Sequence, residues 1–90
     1  MSNFPFIQKK FDDTIIREFS SSVDSEELVW HRDREDRNVK VRIGKGWQLQ
    51  MENKLPFDLI PGENYYIPRN TYHRVIKGKS NLVVEIRESI

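Results

Sequence analysis

The two histidines of the chain are the side chains best suited to chemistry near neutral pH. His31 lies in the segment VWHRDRED, and His73 lies in PGENYYIPRNTYHRVIKG, residues 61–78. A neutral imidazole is the commonest metal ligand among side chains and also transfers protons near pH 7. The chain has no cysteine, which excludes disulfides, thiol chemistry and thiolate zinc sites. The chemistry therefore depends on whether the fold brings the two histidines to one site, for example around a metal.

Length and composition indicate one ordinary soluble domain, residues 1–90. Hydrophobic residues make up 37% of the chain and charged residues 32%, and the net charge is only +1. A nearly neutral chain gives no electrostatic reason to expect binding to nucleic acid or to an anionic membrane. No segment is long and apolar enough to be a signal peptide or to span a bilayer. We expect a cytoplasmic protein without membrane contact.

The N-terminal segment, residues 1–26, has a different apolar pattern from the rest of the chain. Its apolar side chains fall on one face of a short helix: Phe11, Ile15, Ile16 and Phe19. Asp12 or Asp13 would cap the start of this helix, and serines at positions 20–22 would let it end. The pattern predicts a short N-terminal helix, although the β-branched pair at 15–16 also suits an extended strand.

From residue 27 to residue 90 the apolar pattern has a period of two, which is typical of half-buried strands. VKVRI and WQLQM both alternate apolar and polar residues, and GKG separates them. Many short strands with turns every few residues predict a mainly antiparallel β-sandwich or small barrel. Leu28 and Trp30 lie on the strand face opposite Val29 and His31, so this strand needs cover on both faces. Either the N-terminal helix or a second subunit would provide it, and we expect a homodimer.

The segment around His73 resembles the second sequence motif of the cupin family. That motif is a glycine, five residues, a proline, any residue, a glycine, two residues and a histidine. Gly62, Pro68 and His73 match at the same spacing, and Asn70 stands where the family has the second glycine. Asparagine is among the few other residues that accept positive φ in a turn. The resemblance implies a cupin barrel, that is, an antiparallel double-stranded β-helix of the jelly-roll type.

The first cupin motif has a counterpart upstream, with two substitutions. The family has histidine, any residue, histidine, three or four residues, glutamate, six residues and glycine. His31, Asp33, Arg37 and Gly44 occupy these positions here, so aspartate replaces the second histidine and arginine replaces the glutamate. By strand alternation His31 and Asp33 share one face, and Arg37 has the parity of the apolar positions that follow it. The resemblance implies that all three side chains point into the barrel.

Carried over residue by residue, the resemblance implies a metal site formed by His31, Asp33 and His73. Two imidazoles and one carboxylate form the facial triad that suits Fe(II), and Mn(II) or Ni(II) also accept such ligands. Arg37 cannot bind a metal because it is permanently cationic and has no acceptor atom. It would oppose a divalent cation or pair with Asp33.

A metal-binding cupin would act on a small-molecule substrate in one of two ways. It would be a dioxygenase, which is an oxidoreductase that uses Fe(II), or an isomerase or lyase that uses the metal as a Lewis acid. Tyr66 and Tyr72 are candidate catalytic residues that would transfer protons. Arg37 is a candidate substrate-binding residue, because a guanidinium group pairs well with a carboxylate or phosphate.

Two further classes of function stay open on the sequence alone. A cupin barrel whose metal site is altered by Arg37 would serve as a non-catalytic module that binds a small ligand. Alternatively, the basic and aromatic mixture in VKVRIGKGW would suit a nucleic-acid-binding β-barrel. The second alternative is weaker, because 14 acidic residues nearly balance 15 basic ones and the basic side chains alternate along strands as on solvated faces.

Overall fold

The computed structural model describes residues 4–89 and contains eight β-strands in that range. The strands are β1 (Phe6–Phe11), β2 (Thr14–Phe19), β3 (Asp36–Ile43), β4 (Gln48–Met51), β5 (Phe57–Asp58), β6 (Asn64–Ile67), β7 (His73–Ile76) and β8 (Leu82–Ser89). One sheet has the order β1-β2-β8-β3-β6 and the other has the order β5-β4-β7. Every strand pairing is antiparallel. The mainly β architecture predicted from the period of two is therefore confirmed.

The hydrophobic core lies between the two sheets and is filled by alternate residues of the strands. Val41, Trp47 and Leu82 are fully buried, and the indole N–H of Trp47 donates a hydrogen bond to the Ser80 carbonyl oxygen at 2.6 Å. The other buried apolar residues are Ile15, Phe19, Leu28, Val39, Leu49, Leu59, Ile67, Val84 and Ile86. Strand alternation places most of these side chains inside and leaves their polar neighbours at the surface, whereas Leu28, Trp47 and Leu59 enter the core from connecting segments.

The predicted N-terminal helix is wrong, because this segment is the hairpin β1–β2. Phe11 pairs with Thr14, and Asp12 in the two-residue turn has a φ of 53°, a conformation that aspartate tolerates. Ile15 and Phe19 are four residues apart, a spacing that puts two side chains on one face of either a helix or a strand. Both are buried, whereas Phe11 is exposed. Among residues 4–89 the helical structure is one 3₁₀ turn, Ser25–Glu27.

The segment before β3 also differs from the predicted regular strand. His31 forms a single bridge with His73 instead of a continuous ladder. Leu28 is buried in the core of its own chain, and the partly exposed indole of Trp30 lies under the guanidinium of Arg74, 4.8 Å from the ring centre. The two apolar residues that suggested a dimer interface are therefore covered or contacted within one chain. No helix formed by residues 4–89 is long and apolar enough to cross a membrane.

Gly78, in the turn between β7 and β8, packs closely against the turn between β3 and β4. A Cβ at position 78 would overlap the carbonyl oxygen of Lys45 and lie 2.6 Å from the carbonyl carbon of Gly46. These are backbone atoms that cannot rotate away, so we expect Gly78→Ala to lower the free energy of unfolding by about 3 kcal/mol.

The matched control for this substitution is Gly62→Ala. A Cβ on Gly62 meets no atom within 4 Å, and only its φ of 89° is strained by a side chain. We expect a cost of about 1–2 kcal/mol there. Urea unfolding of both variants measures the difference. Equal losses in the two variants would contradict the close backbone packing at Gly78.

Candidate metal centre

The structure brings His31, Asp33 and His73 together at one point of the cavity wall, where His31 is exposed, Asp33 is partly buried and His73 is buried. His73 is the first residue of β7, and its backbone exchanges two hydrogen bonds with His31, N–H to O at 2.8 and 3.0 Å. The imidazole rings meet edge to face with 4.3 Å between their centres. Each of the three side chains offers one possible ligand atom, and these atoms all lie within 4.8 Å of one another.

Backbone carbonyl groups fix the orientation of both imidazoles. Nδ1 of His73 lies 2.8 Å from the Thr71 carbonyl oxygen, and Nδ1 of His31 lies 3.1 Å from the Val29 carbonyl oxygen. A carbonyl oxygen only accepts hydrogen bonds, so each Nδ1 must carry the proton and donate it. In the neutral imidazoles each Nε2 then has a free lone pair. This use of a carbonyl to hold the second ring nitrogen is typical of metal-binding histidines.

Asp33 adds a carboxylate oxygen that faces the same point. Its Oδ2 lies 3.3 Å from Nε2 of His73, and it is buried without a hydrogen-bond donor among the described residues. Two atoms that both present lone pairs repel each other unless a cation or a proton lies between them. A buried acceptor that lacks a donor is costly, and a divalent cation would remove this cost. The donor set therefore fits a metal ion.

The local electrostatics favour the metal-binding states of His31 and Asp33. Burial, opposed in part by the hydrogen bond to Val29, lowers the pKa of His31. Burial would raise the pKa of Asp33, but the adjacent His73 ring and the nearby Arg37 charge outweigh it and lower that pKa. A deprotonated imidazole and an ionised carboxylate are the forms that coordinate divalent ions.

Arg37 lies beside this site and is paired with two carboxylates. Its Nη2 donates to Oε2 of Glu88 at 2.7 Å and lies 3.5 Å from Oδ1 of Asp33. Glu88 is directly opposite Arg37 in the β3–β8 register. The pairing compensates the arginine charge, and it leaves Oδ2 of Asp33 directed toward His73. Arg37 thus holds the Asp33 carboxylate in position. It does not itself bind a metal, because it has no acceptor atom.

The pair of Arg37 and Glu88 gives a stability prediction that is independent of metal. The side chains are mostly buried, with exposed fractions of 12% and 26%, so removing one partner leaves a partly buried charge uncompensated. We expect Arg37→Leu to lower the free energy of unfolding by about 2 kcal/mol. The double variant Arg37→Leu/Glu88→Leu should recover at least half of that loss in urea unfolding. No recovery in the double variant would show that the loss comes from packing alone.

The turn that returns the chain to His73 is held by two contacts from the segment around Asp33. Asn70 has a φ of 60°, which explains how asparagine serves at the position of the family glycine. Its N–H donates to the Asp33 carbonyl oxygen at 2.7 Å, and the Arg69 N–H donates to Oδ1 of Asp36 at 2.7 Å. These two hydrogen bonds join the turn before His73 to the segment that contains Asp33 and Asp36.

Neither candidate catalytic tyrosine lies with the three ligand residues. The hydroxyl of Tyr66 is at the surface beside Asp36, where partial desolvation and the contact with that carboxylate raise the pKa of the phenol. Tyr72 is exposed in the turn just before β7, and the Arg32 guanidinium lies 5.2 Å from its ring centre. Their catalytic roles stay predictions, and neither side chain lines the cavity at the metal site.

A cavity of about 410 Å³ opens at the three ligand residues. Its walls are mainly apolar and include Phe19, Leu28, Val39, Leu49, Leu59, Ile67 and Val75. The charged side chains among the lining residues are Arg17, Glu27, Asp33 and Arg37. An apolar cavity with a few convergent polar groups is typical of small-molecule sites.

Sequence reasoning missed two residues of this site, Arg17 and Glu88. Arg17 was assigned to a helix, whereas strand alternation in β2 puts it on the inner face between Ile15 and Phe19. Glu88 has the same parity as the buried Leu82, Val84 and Ile86 of β8. Continuing the alternation to the end of the strand would have placed its carboxylate inside.

Comparison with solved structures identifies similar folds. Crystal structures of DMSP lyases match with a TM-score of 0.72 and 14% identity over 86% of this chain, which spans only 37% of theirs. A cupin-2 domain protein of Shewanella frigidimarina matches with a TM-score of 0.66 and 20% identity, over 99% of this chain and 84% of its own. Other matching structures are also named as cupins, one of them with a double-stranded β-helix fold.

One matching structure has a metal in its name. Fe(II) HppE aligns with a TM-score of 0.66 and 9% identity over 94% of this chain, which spans 56% of that chain. No protein-family model matches the sequence, and no curated protein matches it. At these identities the comparisons concern the fold.

Proposed function

The chain has the cupin fold, and from it we propose that the protein binds one divalent metal ion through His31, Asp33 and His73 and acts on a small molecule in the adjoining cavity. The observation that carries the proposal is the convergence of three lone-pair donors within 4.8 Å. Two of these donors are held in place by backbone carbonyls through their opposite ring nitrogens. Such a set is far more specific than a group of exposed acidic side chains.

Iron(II) is the metal that we assign first. Two histidines and one carboxylate with open positions suit non-haem Fe(II), and Mn(II) or Ni(II) accept the same donors. The similarity of the fold to Fe(II) HppE supports this order. The chemistry that such an ion supplies is activation of dioxygen, for iron, or polarisation of a substrate carbonyl as a Lewis acid, as in an isomerase or lyase.

The residues around the centre have separable roles in this proposal. The Val29 and Thr71 carbonyls hold the two imidazoles with Nε2 directed to the same point. Arg37, itself paired with Glu88, holds the other oxygen of the Asp33 carboxylate. The apolar walls of the cavity exclude water from a bound substrate, which strengthens electrostatic interactions at the centre.

Metal analysis and oxygen uptake test the proposal. We expect chelator-treated protein to take up one equivalent of Fe(II) under argon, measured by elemental analysis after gel filtration. Oxygen consumption above the rate of free Fe(II), measured with a panel of small organic acids, would place the protein among the oxygenases. Stoichiometric metal without oxygen uptake would favour an isomerase or lyase. Protein that takes up no Fe(II), Mn(II) or Ni(II) would overturn the proposal.

A further inference from the structure

Arg17 directs a second cationic group into the same cavity. It is at the middle of β2, on the inner face with Ile15 and Phe19, and it lines the cavity. Its guanidinium lies over the Phe6 ring, 3.8 Å from the ring centre. Nε and Nη2 both donate to Oε1 of Gln8, at 2.9 and 2.8 Å. The side chain is therefore held in one orientation by a neighbouring strand.

The charge of Arg17 is not compensated as that of Arg37 is. Arg37 is paired with Asp33 and Glu88, whereas Arg17 forms no ion pair with any residue in the range 4–89. Burial and, after it, the charge of Arg37 lower the pKa of Arg17 to about 10, while Asp33 and Glu88 oppose this change. A partly desolvated cation near a second cation is unfavourable, and an anionic ligand would relieve it.

The shape and chemistry of the cavity restrict what that anion can be. Phe19, Leu28 and Val75 are among the apolar side chains that line the same cavity as Arg17 and the candidate ligands, so the body of a fitting ligand is mostly apolar. Gln8 occupies one side of the guanidinium, through Nε and Nη2. Nη1 has no hydrogen-bond partner within residues 4–89 and can donate to a ligand. A planar guanidinium matches the two oxygens of a carboxylate.

We propose that the cavity binds a small carboxylate with an apolar body, its anionic group recognised by Arg17. This substrate class rests on the proposed function, because the same cavity contains the metal centre. The carboxylate lies beside Arg17, the apolar body contacts the cavity walls, and the opposite end of the molecule approaches His31 and His73. The side chain that selects the substrate therefore differs from those that hold the metal.

Calorimetric titration with hexanoate and its neutral analogue hexanamide tests this recognition. We expect Mn(II)-loaded protein to bind hexanoate about 10- to 100-fold more tightly than hexanamide, the range for a hydrogen bond between charged groups. Arg17→Gln should lose most of this preference and Arg17→Lys should keep part of it. Arg42→Gln, which removes a surface arginine paired with Glu85, should bind hexanoate as the wild type does. Equal binding of the two probes, or tighter binding of hexylphosphonate than of hexanoate, would overturn the inference.

Mn(II) titration of the same variants separates this inference from the proposed function. Arg17→Gln should bind Mn(II) at least as tightly as the wild type, because no hydrogen bond or ion pair joins Arg17 to the three ligand residues and its positive charge opposes a nearby cation. Protein that binds Mn(II) but does not distinguish hexanoate from hexanamide would overturn the inference and leave the metal proposal standing. Metal-free protein that prefers hexanoate through Arg17 but takes up no metal would overturn the metal proposal and retain the carboxylate site.

Discussion

Asp33→Asn is expected to weaken divalent metal binding by at least about 100-fold, because changes in residues that merely support metal ligands already cost 10- to 100-fold. The substitution keeps the shape of the side chain, but it removes the negative charge and replaces one oxygen by an amide that donates hydrogen bonds. Oδ2 of Asp33 is the oxygen that lies 3.3 Å from Nε2 of His73. Its loss would remove one of three donors and the only anionic one among them.

Competition titration with a fluorescent chelator measures this affinity for Mn(II). Asp58→Asn is the matched control, because Asp58 is an aspartate on β5 whose carboxylate accepts a hydrogen bond from Gln48 at 3.1 Å. The control should bind Mn(II) like the wild type, and both variants should keep the wild-type circular dichroism spectrum. An unchanged Mn(II) affinity in Asp33→Asn would show that Asp33 is not a ligand.

Trp47→Ala is expected to give the largest loss of stability in the chain, about 4 kcal/mol in the free energy of unfolding. The indole is fully buried, and its ring lies 5.7 Å from the centre of the Phe19 ring. Truncation leaves a large cavity between the two sheets and also leaves the Ser80 carbonyl without the donor that now lies 2.6 Å away. Small domains have only about 5–15 kcal/mol of stability in total.

Trp47→Phe separates the two contributions, because phenylalanine keeps most of the ring but has no N–H. We expect it to cost about 1–2 kcal/mol, the loss of one hydrogen bond plus minor repacking. Urea unfolding followed by circular dichroism measures both variants. A Trp47→Ala variant no less stable than Trp47→Phe would contradict the central position of this side chain in the core.

The alternation of apolar and polar residues predicted much of the core, but it did not exclude the helix that was wrongly predicted for the N-terminal segment. Val39, Val41, Trp47 and Leu49 followed the period of two and are buried as predicted. Ile43 has the same parity but is exposed, because the register of β3 against β8 shifts between Val41 and Ile43. A bulge of this kind changes which face a residue occupies and depends on contacts with a distant strand. In the hairpin, the spacing of four residues fits both periods, so tertiary pairing decided between them.

The candidate ligands were predictable only through motif spacing. His31 and His73 are far apart in sequence, and nothing local indicates that their backbones pair. The carbonyls of Val29 and Thr71 that orient the imidazoles belong to the backbone, which carries no sequence signal. The compensation of Arg37 by Glu88 likewise required the β3–β8 register. These features depend on three-dimensional pairing, which single-sequence patterns do not specify.

The most direct test of the metal centre is the anomalous difference map of a crystal soaked in Mn(II), recorded above the manganese absorption edge. The account predicts one dominant peak bonded to Nε2 of His31, Nε2 of His73 and Oδ2 of Asp33, with both Nδ1 atoms still donating to the Val29 and Thr71 carbonyls. A saturated soak with no peak between these three side chains, or a peak held by Glu88 instead, would contradict it.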